Sequence, residues 1–325
     1  MRIAITDGLH HDALDVLASA GATLLVEHHD AAALASGVLN GVDAIIVRSA
    51  TKLTAEVMAA TPSLRVIGRA GVGVDNIDLA AATTANVRVV NAPGASTRSV
   101  VELTVGHLLA SARLVGSSDR ALRDGRWIKK QATGTEIAGK RLGLVGYGRI
   151  ARGVAQAASG LGMEVHAYDP YLPDGVDIAP AVHLHADLDS LFAACTHISL
   201  HCNLTDETRH LANAARFAMM PGVGADGVAC GNHVVNCARG GLVHEGDAAE
   251  ALDAGVLSSL ALDVFEHEPL APDHPLLKHE RFLGTPHIGA STLEAQRRVG
   301  MDIVDAVLQT LASGTCSTVV NRDVL

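Results

Sequence analysis

The sequence predicts an α/β protein made of two doubly wound parallel-sheet domains, and three observations carry that prediction. Short apolar runs of strand length alternate with helical stretches through both halves of the chain. A G-x-G-x-x-A turn, Gly146 to Ala151, stands between such a run and a helix, and an acid, Asp169, closes the next run. The 325 residues exceed what one typical core organises, so two domains are expected.

Residues 1–96 carry the first series. Strands are expected at Ile3–Thr6, Thr23–Val26, Ala44–Val47, Arg65–Ile67 and Val87–Val90, with helices such as His11–Ala20 and Ala55–Ala60 between them. Ligands of such sheets bind outside the carboxyl ends of the strands. Arg48 closes AIIVR and Arg69 closes RVIGR, with Lys52 one helical turn at most beyond Arg48. Gly71-Val72-Gly73 follows Arg69, and successive amides of a glycine turn can form a nest for a carboxylate. Together these residues suit a small dianion; the alternative is that the side chains at strand ends are simply solvated.

The segment NAPGAST at 91–97 reads as a turn, and Ser99 to about Val115 as one long helix, apolar on most sides and so deeply buried or at a subunit interface. The only tryptophan, Trp127, lies in a basic loop with Arg126, Lys129 and Lys130, as a partner contact or an ordinary surface anchor.

The second series opens at Arg141. Leu142–Val145 is a buried-strand run. Gly146 permits the tight turn, Gly148 lets a pyrophosphate approach the backbone, and Ala151 is small enough for helix-on-strand packing. Arg149 and Ile150 open the helix, whose free N–H groups face the phosphates. Val165–Tyr168 is the next strand, and Asp169 at its end suits a ribose diol and repels a 2′-phosphate, which favours NAD over NADP. Further strands are expected at His197–Leu200, Val234–Cys237, Leu260–Val264 and Phe282–Leu283, and 219–232 (MMPGVGADGVACGN) as a loop. A last helix, Leu293 to about Ala312, is expected to return to the first domain and make it discontinuous.

Composition narrows the function classes. Aromatics are only 2% of the chain while 48% is hydrophobic, so the packing rests on Val, Leu, Ile and Ala. A formal net charge of −10 argues against a nucleic-acid partner. Cys195, Cys202, Cys230, Cys237 and Cys316 form no C-x-x-C pair and no zinc spacing, which fits free thiols in a reducing compartment. No leader and no apolar run of membrane length is evident, so a cytoplasmic chain is expected. No ligand cluster for a metal is evident either.

Six motifs stand in order: RSATKLT at 48–54, GRAGVGVDNID at 68–78, GYGRIA at 146–151, VNCARGGLV at 235–243, ALDVFEHEP at 261–269 and TPHIGAST at 285–292. On these the chain resembles the D-isomer-specific 2-hydroxyacid dehydrogenases over nearly its whole length, and within them the branch acting on D-3-phosphoglycerate. The resemblance implies a Rossmann-type NAD domain, 97–290, inserted into a flavodoxin-like substrate domain formed by 1–96 and 291–325. It implies catalytic Arg239, Glu268 and His287, with Glu268 paired to His287. Asp263 resembles the family's contact to the nicotinamide amide. His201, Cys202, Cys237, Ala238, Gly289 and Ala290 join Gly146, Gly148, Arg149, Ile150 and Asp169 around NAD, and subunits would pair through the cofactor domains as a dimer or dimer-based tetramer.

The chemistry agrees with those roles. Removing a hydride from C2 of a 2-hydroxy acid requires a base for the hydroxyl proton, and histidine titrates in the useful range. A guanidinium fork clamps the acid's carboxylate better than lysine does. The expected reaction is NAD-dependent oxidation of D-3-phosphoglycerate. The alternatives are reduction of glyoxylate, hydroxypyruvate or another 2-oxo acid, or an NAD-sensing corepressor-like binding protein. Three departures from the family pattern stand out: the longer loop at 219–232, expected to be a harmless bulge; Asn203 in HCNLTDETR where proline is usual; and no regulatory module expected after residue 325. Hinges near 96 and 290, closing Arg69 toward His287, complete the expectation.

Overall fold

The computed structural model describes residues 1–172, 178 and 181–322. Residues 173–177, 179–180 and 323–325, parts of the expected NAD-binding and substrate-binding domains, lie outside the described residues. In chain order the first elements are β1 (Arg2–Ile5), α1 (His11–Ser19), β2 (Thr23–Val26), α2 (Ala31–Ala35), β3 (Ala44–Val47), α3 (Ala55–Ala59), β4 (Val66–Arg69), α4 (Leu79–Thr84) and β5 (Arg88–Asn91). Next come α5 (Thr97–Ala112), α6 (Val115–Arg123), β6 (Arg141–Val145), α7 (Arg149–Gly160), β7 (Glu164–Tyr168), β8 (Val182–Leu184), α8 (Leu188–Ala194), β9 (His197–Leu200) and α9 (Ala214–Met219). The last are β10 (His233–Asn236), α10 (Glu245–Asp253), β11 (Ser259–Leu262), β12 (Phe282–Gly284) and α11 (Leu293–Ser313). The chain divides into two compact units, Met1–Ser96 with Ala290–Leu325, and Thr97–Gly289.

In the first unit the sheet order is β2-β1-β3-β4-β5, all parallel. This is the flavodoxin-like order. Strand alternation explains its two cores. Ile3, Ile5, Ile46 and Val66 face α1 and α11, meeting Leu17, Ile303 and Val307. Ala4, Ile45, Val47 and Ile67 face the other way, onto Leu34, Leu39 and Val57. α11 starts on a side-chain cap, Thr292 Oγ1 accepting from the Ala295 amide at 3.1 Å, and stops at Gly314 in the left-handed region.

In the second unit the order is β12-β11-β10-β9-β6-β7-β8, again all parallel. The order reverses between β6 and β9, which opens the ligand crevice of a Rossmann-type sheet there. Leu142, Leu144, Val165 and Ala167 pack with Ala151 and Val154 of α7 and Leu108 of α5 on one face. Phe192, Phe217, Ile198, Leu260 and Leu262 fill the other. Both units are thus doubly wound α/β sheets, as the alternation of elements predicts.

Several local expectations are corrected. The helix expected from Ser99 to Val115 is two: α5 ends at Ala112, Leu114 turns left-handed at φ 54°, and α6 begins at Val115. β8 is unpredicted, because its three residues, V-H-L, are half-buried or exposed and offer no apolar run. β10 covers 233–236, so Cys237 lies just past the strand.

The loop at 219–232 is more than a harmless bulge. It lies at the amino ends of the strands, where Asp226 forms an ion pair with the buried Lys140, and Asn232 Oδ1 accepts from the Gly222 amide at 2.8 Å. Asp226→Asn leaves an almost fully buried ammonium without its counter-charge. It should lower the melting temperature in scanning calorimetry, whereas Val223→Ala, at an exposed position of the same loop, should be nearly neutral.

Candidate active site

Three backbone segments at the carboxyl ends of β10, β11 and β12 converge. After β10, Asn236 clamps the turn that carries Arg239: its Nδ2 donates to the Arg239 carbonyl at 2.8 Å, and its Oδ1 accepts from the Ala238 amide at 3.0 Å. The Arg239 side chain turns back, Nη1 donating to the Ala238 carbonyl at 2.7 Å. Gly240 lies so close to the second segment that a Cβ there would sit 1.7 Å from the Phe265 carbonyl oxygen. That second segment is braced from α10, since the Glu266 amide donates to Glu245 Oε1 at 2.7 Å and the Glu245 amide to Glu266 Oε1 at 3.0 Å.

Glu268 ends the braced segment. Its Oε1 accepts from the Phe265 amide at 3.0 Å, and its Oε2 lies 2.7 Å from Nδ1 of His287. The His287 turn is shaped by Asp263, which is buried. Asp263 Oδ1 accepts from Thr285 Oγ1 at 2.6 Å and the Ile288 amide at 2.8 Å, its Oδ2 from the Gly289 amide at 2.8 Å, and its carbonyl from the His287 amide at 2.8 Å. These bonds hold His287 at φ 54°, a left-handed backbone that costs a histidine about 1–3 kcal/mol and persists only where surroundings enforce it. Asp263 therefore spends most of its acceptor capacity on the turn, a role its expected nicotinamide contact did not anticipate.

The electrostatics follow from the pairing. The hydrogen bond to Glu268 raises the His287 pKa above its ordinary value, outweighing burial, and the charges of Glu268 and Asp263 act the same way. Burial pushes Glu268 upward, but bonds from His287 and the Phe265 amide outweigh it and hold the carboxyl below its ordinary value. The Arg239 charge reaches both groups, favouring the carboxylate and opposing the imidazolium. The result is a histidine with Nδ1 fixed by a carboxylate and Nε2 left for a proton, beside a guanidinium. Chemically, such an arrangement is equipped to exchange a proton with a hydroxyl or carbonyl oxygen.

At the reversal point of the same sheet, Gly146 follows β6 with φ 88°, and a Cβ there would lie 3.0 Å from the His201 carbonyl. Gly148 caps α7 without a side-chain bond, and the place of its Cβ is open for 4 Å around. That open cradle at the amino end of α7, where Arg149 and Ile150 begin the helix, fits a pyrophosphate. Asp169 ties the turn together, Oδ2 accepting from the Tyr147 amide and Oδ1 from the Tyr171 amide, each at 2.9 Å.

The family model described as "D-isomer specific 2-hydroxyacid dehydrogenase, NAD binding domain" matches residues 105–289. The chain belongs to this family. A D-3-phosphoglycerate dehydrogenase of Methanocaldococcus jannaschii is 41% identical across 99% of this chain, which spans only 59% of that protein. A hydroxypyruvate reductase of Thermotoga maritima is 40% identical, with 95% of this chain and 98% of that one covered. The crystal structure of the TT0316 protein from Thermus thermophilus superposes with a TM-score of 0.87 at 33% identity, covering 98% of this chain and 100% of that one.

In this member of the family, residues 105–289 are thus an NAD-binding domain, and the glycine turn has the shape that cofactor needs. Other expected cofactor residues are less clear-cut. His201 is half-buried, its Nε2 2.9 Å from Ser199 Oγ, and burial pushes its pKa down to about 4, so it is a neutral packed side chain. Burial pushes the thiols of Cys202 and Cys237 up to about 11 and about 12, which makes both protonated, inert walls. Ala238 is half-buried beside Arg239. Gly289 closes the unit, and Ala290 already belongs to the other one.

The expected substrate residues lie in the first unit. The Asp7 carboxylate shapes the turn after β3, Oδ2 accepting from the amides of Arg48 at 2.7 Å and Thr51 at 3.1 Å; Lys52 is exposed. Arg69 ends β4 and folds back over Gly71, where a Cβ would lie 1.5 Å from its Nη1. The Gly71 amide donates to the Arg69 carbonyl at 2.8 Å, and the Val72 carbonyl accepts from Asn91 Nδ2 at 2.7 Å. The nest expected over Gly71, Val72 and Gly73 thus lacks its first donor.

Sequence reasoning missed Asn236, Thr285 and His107, which build the site without touching the proton path. His107 is buried in α5 with Nε2 3.2 Å from Thr285 Oγ1, and burial holds its pKa down. A lone histidine inside an apolar helix was the available signal.

Proposed function

We propose that this dehydrogenase oxidises D-3-phosphoglycerate to 3-phosphohydroxypyruvate, the reaction that opens serine biosynthesis. The observation that carries this substrate is the pair of guanidinium groups, Arg48 and Arg69, at the carboxyl ends of β3 and β4, suited to a doubly anionic acid. In this reading His287 Nε2 takes the C2 hydroxyl proton, and Glu268 holds the tautomer with the proton on Nδ1 and stabilises the imidazolium. Arg239 fixes the carboxylate and polarises the C2 oxygen. NAD, when bound, accepts the hydride that leaves C2. Arg48 and Arg69, with Lys52, hold the anionic ends of the substrate.

The second reading is a hydroxypyruvate or glyoxylate reductase, favoured by the 40% identity to the Thermotoga maritima protein along nearly its full length. The exposed Trp127, beside Lys129 and Lys130, supports a homo-oligomer. No helix among the described residues is long and apolar enough to cross a membrane, and we place the enzyme in the cytoplasm.

The test is NADH formation from 3-phosphoglycerate, D-lactate, glycerate and 2-hydroxyglutarate, with NADP in parallel. Turnover confined to 3-phosphoglycerate, and lost in Arg48→Ala, is expected. Turnover of only the unphosphorylated acids would sink the phosphate role and leave the proton-transfer pair standing. Asp169→Ala should lower kcat/KM with NAD about 10–100-fold relative to NADP, the worth of one charged hydrogen-bonding group. An unchanged ratio would remove Asp169 from the ribose site.

A further inference from the structure

Outside the catalytic loops, β7 and β8 gather a second set of ionisable side chains. The strands run parallel with His166 opposite His183, and Glu164 shares a face with His166 two residues on. Glu164 Oε1 lies 3.2 Å from His166 Nε2 and 3.7 Å from His183 Nε2, and the three ligand atoms lie within 4.8 Å of one another. Sequence reading saw no cluster here because Glu164 and His166 are separated from His183 by the whole β7–β8 connection.

The contacts of Ser190 support one proton arrangement in this cluster. Ser190 Oγ donates to the Asp187 carbonyl at 2.9 Å, so it accepts from His185 Nδ1 at 3.0 Å. His185 Nε2 is then an acceptor, and His166 Nδ1 donates to it at 2.8 Å. His166 Nε2 is left with a lone pair aimed at a carboxylate oxygen. In that arrangement the His166 Nε2 lone pair and Glu164 Oε1 face one space, which His183 Nε2 also borders.

We propose that Glu164, His166 and His183 form a site for a borderline-soft divalent ion of the zinc class, with water in the fourth position. Ligand atoms at about 2.0–2.1 Å from a tetrahedral ion stand about 3.4 Å apart, a spacing that the separations of 3.2 and 3.7 Å bracket. Two imidazoles and one carboxylate suit zinc, cobalt or nickel, not magnesium or calcium. His185 supplies the outer hydrogen bond that fixes the ring of a metal-bound histidine. Arg141 Nε bonds Glu164 Oε2 at 3.1 Å, which leaves Oε1 for the ion. His166 is buried while His183 is 61% exposed, so the site is built on one side and reachable from the other. A bound ion would clip β8, the sheet's edge strand, to β7. The other histidine–carboxylate group among the described residues, His10, His11 and Asp12, lacks this preparation: Arg297 holds the Asp12 carboxylate and His10 Nδ1 already accepts from the Asp12 amide.

The test is calorimetric titration of the whole chain with zinc chloride, alongside His183→Ala, Glu164→Gln and His185→Gln, with thermal unfolding read in parallel. One zinc per chain is expected, weakened at least about tenfold by His183→Ala and Glu164→Gln, and about 10–100-fold by the outer variant His185→Gln. Zinc should raise the melting temperature of the parent chain and not that of His183→Ala. Equal titrations of the parent and His183→Ala, or no binding up to millimolar zinc, would overturn the site.

Discussion

His287→Gln should lower the rate of hydroxy-acid oxidation ~10²–10⁴-fold, the usual worth of a positioned general base, with little change in NADH affinity. Glutamine keeps a polar group near the same place but cannot take the hydroxyl proton. Glu268→Gln is the sharper probe. The bond to Glu268 is the largest influence raising His287, so the parent enzyme should show oxidation that rises with pH through a value above 6.5. Reduction, which needs the imidazolium, should fall across the same range. In Glu268→Gln both limbs should move to lower pH, and the oxidation rate should drop as the imidazolium loses its partner. pH profiles of kcat/KM in both directions check this; an unmoved limb would mean that another group titrates.

The same pair links folding to pH. His287 has a raised pKa when folded, so its contribution is full below 6.5 and is lost as pH rises through the folded value. Glu268 has a lowered one, so its contribution is full above 4.5 and is lost as pH falls through the folded value. The ion pair therefore supports the fold most between those limits.

Gly240→Ala should be nearly as damaging without removing any reactive group. Its Cβ would stand 1.7 Å from the Phe265 carbonyl oxygen, and backbone on both sides leaves no flexible side chain to yield. The Arg239 turn and the segment leading to Glu268 must separate, which shifts a guanidinium and a carboxylate at once. Overpacking of this kind costs ~1–3 kcal/mol of stability. A misplacement of about 1 Å can cost ~10²-fold in rate. A variant with parent-like melting temperature and parent-like kcat would show that the two segments are not in the contact described.

Much of this was legible in the sequence because it is local. Leu142–Val145, Gly146 to Ala151 and Asp169 form one continuous unit whose spacing is dictated by a strand, a turn and a helix. Arg48 and Arg69 announce themselves as charged residues ending apolar runs. What was not legible is what distance along the chain conceals. Glu268 and His287 meet because β11 and β12 are neighbours, which no periodicity reports and which only the family resemblance implied. Asp263 holds the His287 turn through hydrogen bonds donated by residues 22 to 26 positions on. Leu114 breaks a helix that its apolar neighbours would continue, and β8 carries too little apolar surface to declare itself. The Lys140–Asp226 pair unites residues whose neighbourhood is set by β6 and the loop before β10.

The position of α11 has a consequence for how the polypeptide emerges during synthesis. The sheet of β1 to β5 is complete by Asn91, yet one of its faces, with Ile3, Ile46 and Val66, is covered by a helix that ends only at Ser313. At ribosomal rates of ~5–20 residues per second, that face waits roughly ten to forty seconds for its cover. All of Thr97–Gly289 is made within that interval and can fold around its own core. The nascent chain therefore passes through a stage in which the later-made unit is finished and the earlier-made one still presents a bare aliphatic surface, the kind of surface that chaperones hold.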